Sequence, residues 1–213
     1  PRLAVTLLLI AASALWTNAS AQFSPKTGGQ GTSVVTTPYV RAELLAHAPQ
    51  GVAPGQPLWL GLQITHQRVW HTYWINPGDS GLPTELTWQL PAGLDAGDIA
   101  WPVPHKIAIG TLANYGYEGT VLLPVPVTVA QTFAPGPLAK DVTVQLKASW
   151  LVCRKECIPE EGHFTLQLPI QSTTALHSAA FDAAQKAQPQ PLAKPSAQQQ
   201  AQVDGDALQV RVA

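Results

Sequence analysis

The stretch Pro57–Gln67, PLWLGLQITHQ, sets Leu58, Leu60, Leu62 and Ile64 at every second position, with Trp59, Gly61, Gln63 and Thr65 between them. Only an extended strand turns that spacing into one apolar face, because successive side chains point to opposite sides. The pattern recurs. Leu86, Trp88 and Leu90 alternate in TELTWQL, Val142, Val144, Leu146 and Ala148 in DVTVQLKASWLVC, and Phe164, Leu166 and Leu168 in GHFTLQLPI. YVRAELLAHA (39–48) alternates more loosely. Turn chemistry separates these runs: APGQP, NPGDSG, LPAGLDAGD and APGPL. Short alternating strands with turns between them predict an all-β sandwich. TVLLPVPVTVA (120–130) carries Pro124 and Pro126. Proline cannot donate to a ladder, so this run predicts an edge strand or a bulge.

Formal net charge over 213 residues is −1, with 12% charged residues, which argues against a nucleic-acid surface or a polybasic membrane patch. At the N-terminus, Arg2 precedes the uncharged run Leu3–Leu15 and an A-x-A site at Ala19–Ala21. That arrangement predicts a secretory signal peptide over residues 1–21, and hence export from the cytoplasm. Residues 22–37 are small, polar and glycine-rich and predict a flexible leader. The β domain is expected over 38–175. A short helix at Ser178–Ala187 and a Pro/Gln/Ala linker fill 176–202. Residues 203–213 are expected to open a second, β-type domain, so the chain is expected to be the N-terminal part of a longer exported protein.

The chain has two cysteines, Cys153 and Cys157, in SWLVCRKECIPEEG. Export makes a disulfide between them the default, and three roles remain open. A tetrahedral zinc site needs four ligands, but two thiolates with His163 nearby could hold Cu(I). A structural staple suits facing positions of a hairpin whose bend is Arg154-Lys155-Glu156. Yet a five-residue ring removes little chain entropy, about 2 kcal/mol against about 3 for fifteen residues. A redox role uses the same smallness, since the pair needs no cofactor and Arg154 and Lys155 favour a thiolate while Glu156 opposes them.

WLVCRKECIPEEGHFTLQLPI, with YWINPGDSGLPTELTWQLPAGL, WPVPHK and NYGYEGTVLLPV, resembles the N-terminal periplasmic domain of the DsbD/ScsB family of membrane thiol:disulfide interchange proteins, and is closer to the ScsB-like branch. The likeness covers about residues 38–170, and the cysteine motif followed by Ile158-Pro159 is its most specific part. It implies an immunoglobulin-like sandwich with the cysteine pair at one end. It also implies that transmembrane and thioredoxin-like domains of the same protein deliver electrons to the pair. The domain would then act as a protein-disulfide reductase on thioredoxin-like partners, of the disulfide-isomerase or cytochrome c maturation type. By the same resemblance Cys157 forms the mixed disulfides and Cys153 resolves them. The best-known family members place five residues between their cysteines, where this chain has three. They also cover the pair with an aromatic loop. The matching stretch here is Leu112–Gly119, LANYGYEG, which makes Tyr115 and Tyr117 the candidate shield, or else ordinary turn and packing residues.

Two other functions remain in view: a copper-binding module tied to copper tolerance, and an interaction domain with an inert disulfide. His71–Gly81, HTYWINPGDSG, holds Asp79 and Ser80 but no nucleophile elbow, and Asn-Pro-Gly-Asp predicts a shaped turn. Trp59, Trp70, Trp88, Trp101 and Trp150 are expected in the core or at its ends rather than in a ligand cage.

Overall fold

The computed structural model describes residues 31–190, 200–204 and 207–211. The expected signal peptide, most of the expected leader and the stretch 191–199 of the expected linker lie outside the described residues. The first sheet is built from β1 (Val34–Thr36), β2 (Val40–His47), β3 (Leu58–His66), β9 (Thr120–Val129) and β6 (Leu94–Ala96), in the order β1-β2-β3-β9-β6. The second contains β11 (Cys157–Pro169), β10 (Asp141–Cys153), β4 (His71–Gly78), β8 (Leu112–Glu118) and β7 (His105–Ile109), with β5 (Glu85–Gln89) paired beside β10. One helix, α1 (Ser178–Lys186), follows, then the hairpin β12 (Gln200–Asp204) and β13 (Ala207–Arg211).

Register turns the alternation into a core. Leu62 of β3 lies between Leu44 of β2 and Leu123 of β9, and Leu60 between Ala46 and Val125. Leu58, Leu60, Leu62 and Ile64 are all buried, and they join one cluster with Val142, Val144, Leu146, Ala148, Trp150 and Val152 of β10 and Phe164 and Leu168 of β11. Two sheets thus face each other across a single apolar layer, which is the expected immunoglobulin-like sandwich. Burying a leucine or phenylalanine side chain in such a layer contributes about 1.5–3 kcal/mol.

Three details differ from the sequence reading. Val34–Thr36, expected within a flexible leader, form β1 and pair with Glu43, Ala42 and Arg41. β9, expected at an edge or bulge, lies between β3 and β6. Its prolines are tolerated because Pro124 and Pro126 turn their carbonyls away from β3, accepting from Ala100 N at 2.8 Å and Gly97 N at 2.9 Å. The missing N–H groups face that same irregular segment, so the ladder to β3 loses nothing. Finally, α1 packs back on the outer face of the first sheet. Phe181 is fully buried with Leu45, Leu122 and Ala184, and its ring sits over Gly61, where a Cβ would approach both Phe181 and Leu122 too closely. The end of the helix is tied down by Val103 N donating to Ala187 O at 2.7 Å.

Candidate functional site

β10 and β11 pair without a break from Asp141↔Pro169 to Cys153↔Cys157, so the two cysteines are the last facing pair of the hairpin. A disulfide joins them with Cα atoms 4.2 Å apart. The bend Arg154-Lys155-Glu156 closes through Arg154 N donating to Glu156 O at 3.0 Å. The Arg154 guanidinium lies over the Trp70 ring, 5.2 Å from its centroid, and reaches Glu156 at 3.4 Å. Trp70 in turn stacks on Tyr39. The bend is therefore held against the end of the sandwich by a cation–π contact and an aromatic pair.

The two sulfurs have different surroundings. Core-facing residues of β10 are the even-numbered ones from Val142 to Val152, so Cys153 points to the opposite face of its sheet. It is nevertheless only 1% exposed, and its cross-strand neighbour on the other side is His71 of β4. Cys157 begins β11, which ends the sheet order, and it is exposed. One sulfur is sheltered and the other can be reached from solvent.

His71 and Tyr73 share that face of β4. The Tyr73 hydroxyl lies 3.7 Å from Cys157 Sγ, and His71 Nε2 lies 3.4 Å from the same hydroxyl. The rings meet edge to face at 5.2 Å. His71 is 2% exposed and Tyr73 is fully buried. Burial lowers the His71 pKa, against the opposing pull of the Glu118 carboxylate, and raises that of Tyr73. The imidazole is thus neutral and the phenol protonated at neutral pH. Sequence reasoning missed both residues, because HTYWINPGDSG read as a turn. Residues 71–78 are strand, and only their continuation turns. The available signal was the i, i+2 spacing of His71 and Tyr73, which puts two polar rings on one side of a strand.

The segment Asp79–Pro83 covers this face. The Asp79 carboxylate accepts from Ala113 N at 2.7 Å, and Asn114 Oδ1 accepts from Ser80 N at 3.0 Å and from Ser80 Oγ at 3.1 Å. Gly81, at φ 103°, lies against the Tyr73 ring, where any Cβ would collide with it. Pro83 then bridges to Tyr73.

The stretch expected to carry the candidate shield, Tyr115 and Tyr117, is β8. Leu112–Glu118 is a strand between β4 and β7 rather than a loop. Tyr117 faces Thr72 across the ladder and joins the core, with its hydroxyl donating to Pro102 O at 2.7 Å and its pKa raised by burial. Alternation puts Tyr115 on the same side of β8, opposite Gly116, which pairs with Tyr73. His163 lies six residues along β11 from Cys157, roughly 20 Å at about 3.3 Å per residue, beside Glu161 rather than the sulfurs. Among the described residues, no three His, Cys, Asp or Glu side chains gather in a way that could hold a metal ion. No described helix is long and apolar enough to cross a membrane. Trp70 and Trp150 are buried in the core, Trp88 and Trp101 pack against it, and Trp59 packs against the Phe181 cluster.

The fold is similar to that of the N-terminal periplasmic domain of ScsB from Proteus mirabilis, with a TM-score of 0.55 and 17% sequence identity. The match covers 75% of this chain and 60% of that one. No curated protein matches the chain in sequence. The family model for the N-terminal region of the thiol:disulfide interchange protein DsbD matches residues 41–169, from β2 to the end of β11, and the chain belongs to that family.

Proposed function

We propose that this domain is a periplasmic thiol:disulfide exchange module that accepts electrons from a membrane-embedded reductase system and reduces disulfides of thioredoxin-like partner proteins. The observation that carries this reading is the unequal exposure of the pair: Cys157 is open to a partner and Cys153 is not. Exchange needs one thiolate that can reach a foreign disulfide and a second thiol, beside the first, that resolves the mixed disulfide. In the reduced domain the Cys157 thiolate attacks a partner sulfur, and the other partner sulfur leaves as thiolate. The Cys153 thiolate then attacks Cys157 Sγ, re-forming the Cys153–Cys157 bond and releasing the second partner thiolate. Two electrons pass to the partner, which takes up two protons, and no cofactor takes part.

The test is a trapping experiment with a thioredoxin-like protein of the disulfide-isomerase type. Cys153→Ala is expected to accumulate a mixed disulfide through Cys157, and Cys157→Ala to trap none. Absence of an adduct with either variant, together with a reduction potential well below about −300 mV, would return the pair to a structural role.

A further inference from the structure

We infer that Tyr73 is a catalytic hydrogen-bond donor to the Cys157 thiolate and that His71 is the residue that positions its proton. The inference rests on the exchange reading above and adds two residues to it. Tyr73 has a single hydroxyl proton, and besides the Ser80 hydroxyl, which itself donates to Asn114 Oδ1 at 3.1 Å, the neighbours that could take it are Cys157 Sγ at 3.7 Å and His71 Nε2 at 3.4 Å. An ionised acceptor makes a hydrogen bond roughly twice as strong as a neutral one. Once Cys157 is a thiolate, the phenol proton therefore turns to sulfur. The Tyr73 oxygen is then left as an acceptor, and a neutral imidazole meets it only with the proton on Nε2. The neighbour thus sets the tautomer. Tyr73 and His71 are both buried, so water competes little for the bond between them.

The same bond serves both directions of exchange. It stabilises Cys157 as nucleophile towards a partner disulfide. It also stabilises Cys157 as leaving group when a dithiol donor, having attacked Cys157 and expelled Cys153 as thiolate, closes its own disulfide. The phenol proton stays on oxygen throughout, so no additional reactant is needed. The other charges near the pair are those of Arg154, Lys155 and Glu156 in the bend and Glu118 opposite His71. Arg154 is directed at Trp70 and Glu156, which leaves Tyr73 as the one hydrogen-bonding neighbour of Cys157 Sγ among the described residues.

The experiment measures the Cys157 thiol in the chain carrying Cys153→Ser, by thiolate absorbance and iodoacetamide alkylation across pH. Tyr73→Phe, which removes only the hydroxyl, is expected to raise the thiol pKa by about one unit. A more basic thiolate is also the better nucleophile, so alkylation at neutral pH should slow only about threefold. His71→Phe should shift the pKa in the same direction, and His71→Gln, which keeps an N–H donor, should restore most of the shift. In the reduced chain, the 15N–1H ring correlations of His71 should show the Nε2–H tautomer, a readout that loss of packing alone would not produce. Thermal unfolding of each variant provides the folding control.

An unchanged thiol pKa in a folded Tyr73→Phe variant would overturn the inference. So would an equal effect of His71→Phe with and without the Tyr73 hydroxyl. These readouts need no partner protein. A shifted pKa in a chain that traps no partner would support the relay while removing the exchange function, whereas wild-type pKa and full trapping with Phe at position 73 would do the reverse.

Discussion

His66 ends β3 with both ring nitrogens engaged. Nδ1 donates to Gly119 O at 2.8 Å, and Nε2 accepts from the Thr72 hydroxyl at 3.0 Å. Burial lowers its pKa to about 4, partly opposed by the backbone hydrogen bond and assisted by His71. A histidine held neutral in the fold contributes stability that is complete above its unfolded pKa of 6.5 and is lost as pH falls from there towards 4. A shift of that size corresponds to about 3 kcal/mol, and the lowered pKa of His71 acts in the same direction. Urea unfolding at pH 7.5, 6 and 4.5 should therefore show a falling midpoint at constant slope. A midpoint that does not move over this range would contradict neutral burial of His66. Neither the hydrogen bonds nor the burial was legible in the sequence, where THQ reads as the polar end of a strand. The acceptor Gly119 is fifty-three positions away and arrives only when β8 turns into β9.

At the scale of elements, α1 is the clearest case of a segment whose composition hid its packing. SAAFDAAQK looked like a modest helix in a low-complexity stretch, and a boundary near 175 followed from the change in texture. Phe181, with the smaller Ala184 beside it, carries most of the packing, filling the space left by Gly61 on the outer face of β3 and stacking on His47 at 5.6 Å. Phe181→Ala should cost about 3–5 kcal/mol, read from the denaturant midpoint. A change under about 1 kcal/mol would mean that the helix is not docked in solution. β8 teaches the complementary lesson. Its NYGY sequence has the glycines and aromatics of a turn, but Gly116 is needed for close approach, because a Cβ there would strike the Thr72 carbonyl. Glycine in a strand can mark a near neighbour as well as a bend, and NYGY offers both readings: Tyr117 is a packing residue of the core, while Tyr115 is exposed.

For the molecule as a whole, the Cys153–Cys157 ring is too small to be a principal source of stability. The apolar layer between the sheets reaches from Val40 to Ile170 and does not depend on the ring. Reduction should lower the unfolding free energy by no more than about 2 kcal/mol, so the domain should remain folded as a dithiol, as any exchange module must. Chemical denaturation with and without a thiol reductant checks this, and unfolding on reduction would mark the bond as a staple.

The sequence alone determined the two-faced strands, the sandwich and the pair of cysteines at the tip of a hairpin. These follow from local pattern: period two is a property of a single strand, and two alternating runs on either side of Arg154-Lys155-Glu156 make that stretch the bend of a hairpin. Tertiary structure decided which sulfur is sheltered, which side chains stand beside it and what covers them. Those facts depend on β4 arriving next to β10 in one register and β8 next to β4 in another. Alternation states that a strand has two faces, but only packing against distant strands determines which face is covered, and by what. His71, Tyr73 and the Asp79–Pro83 segment thus became neighbours of the disulfide, while Tyr117 joined the core.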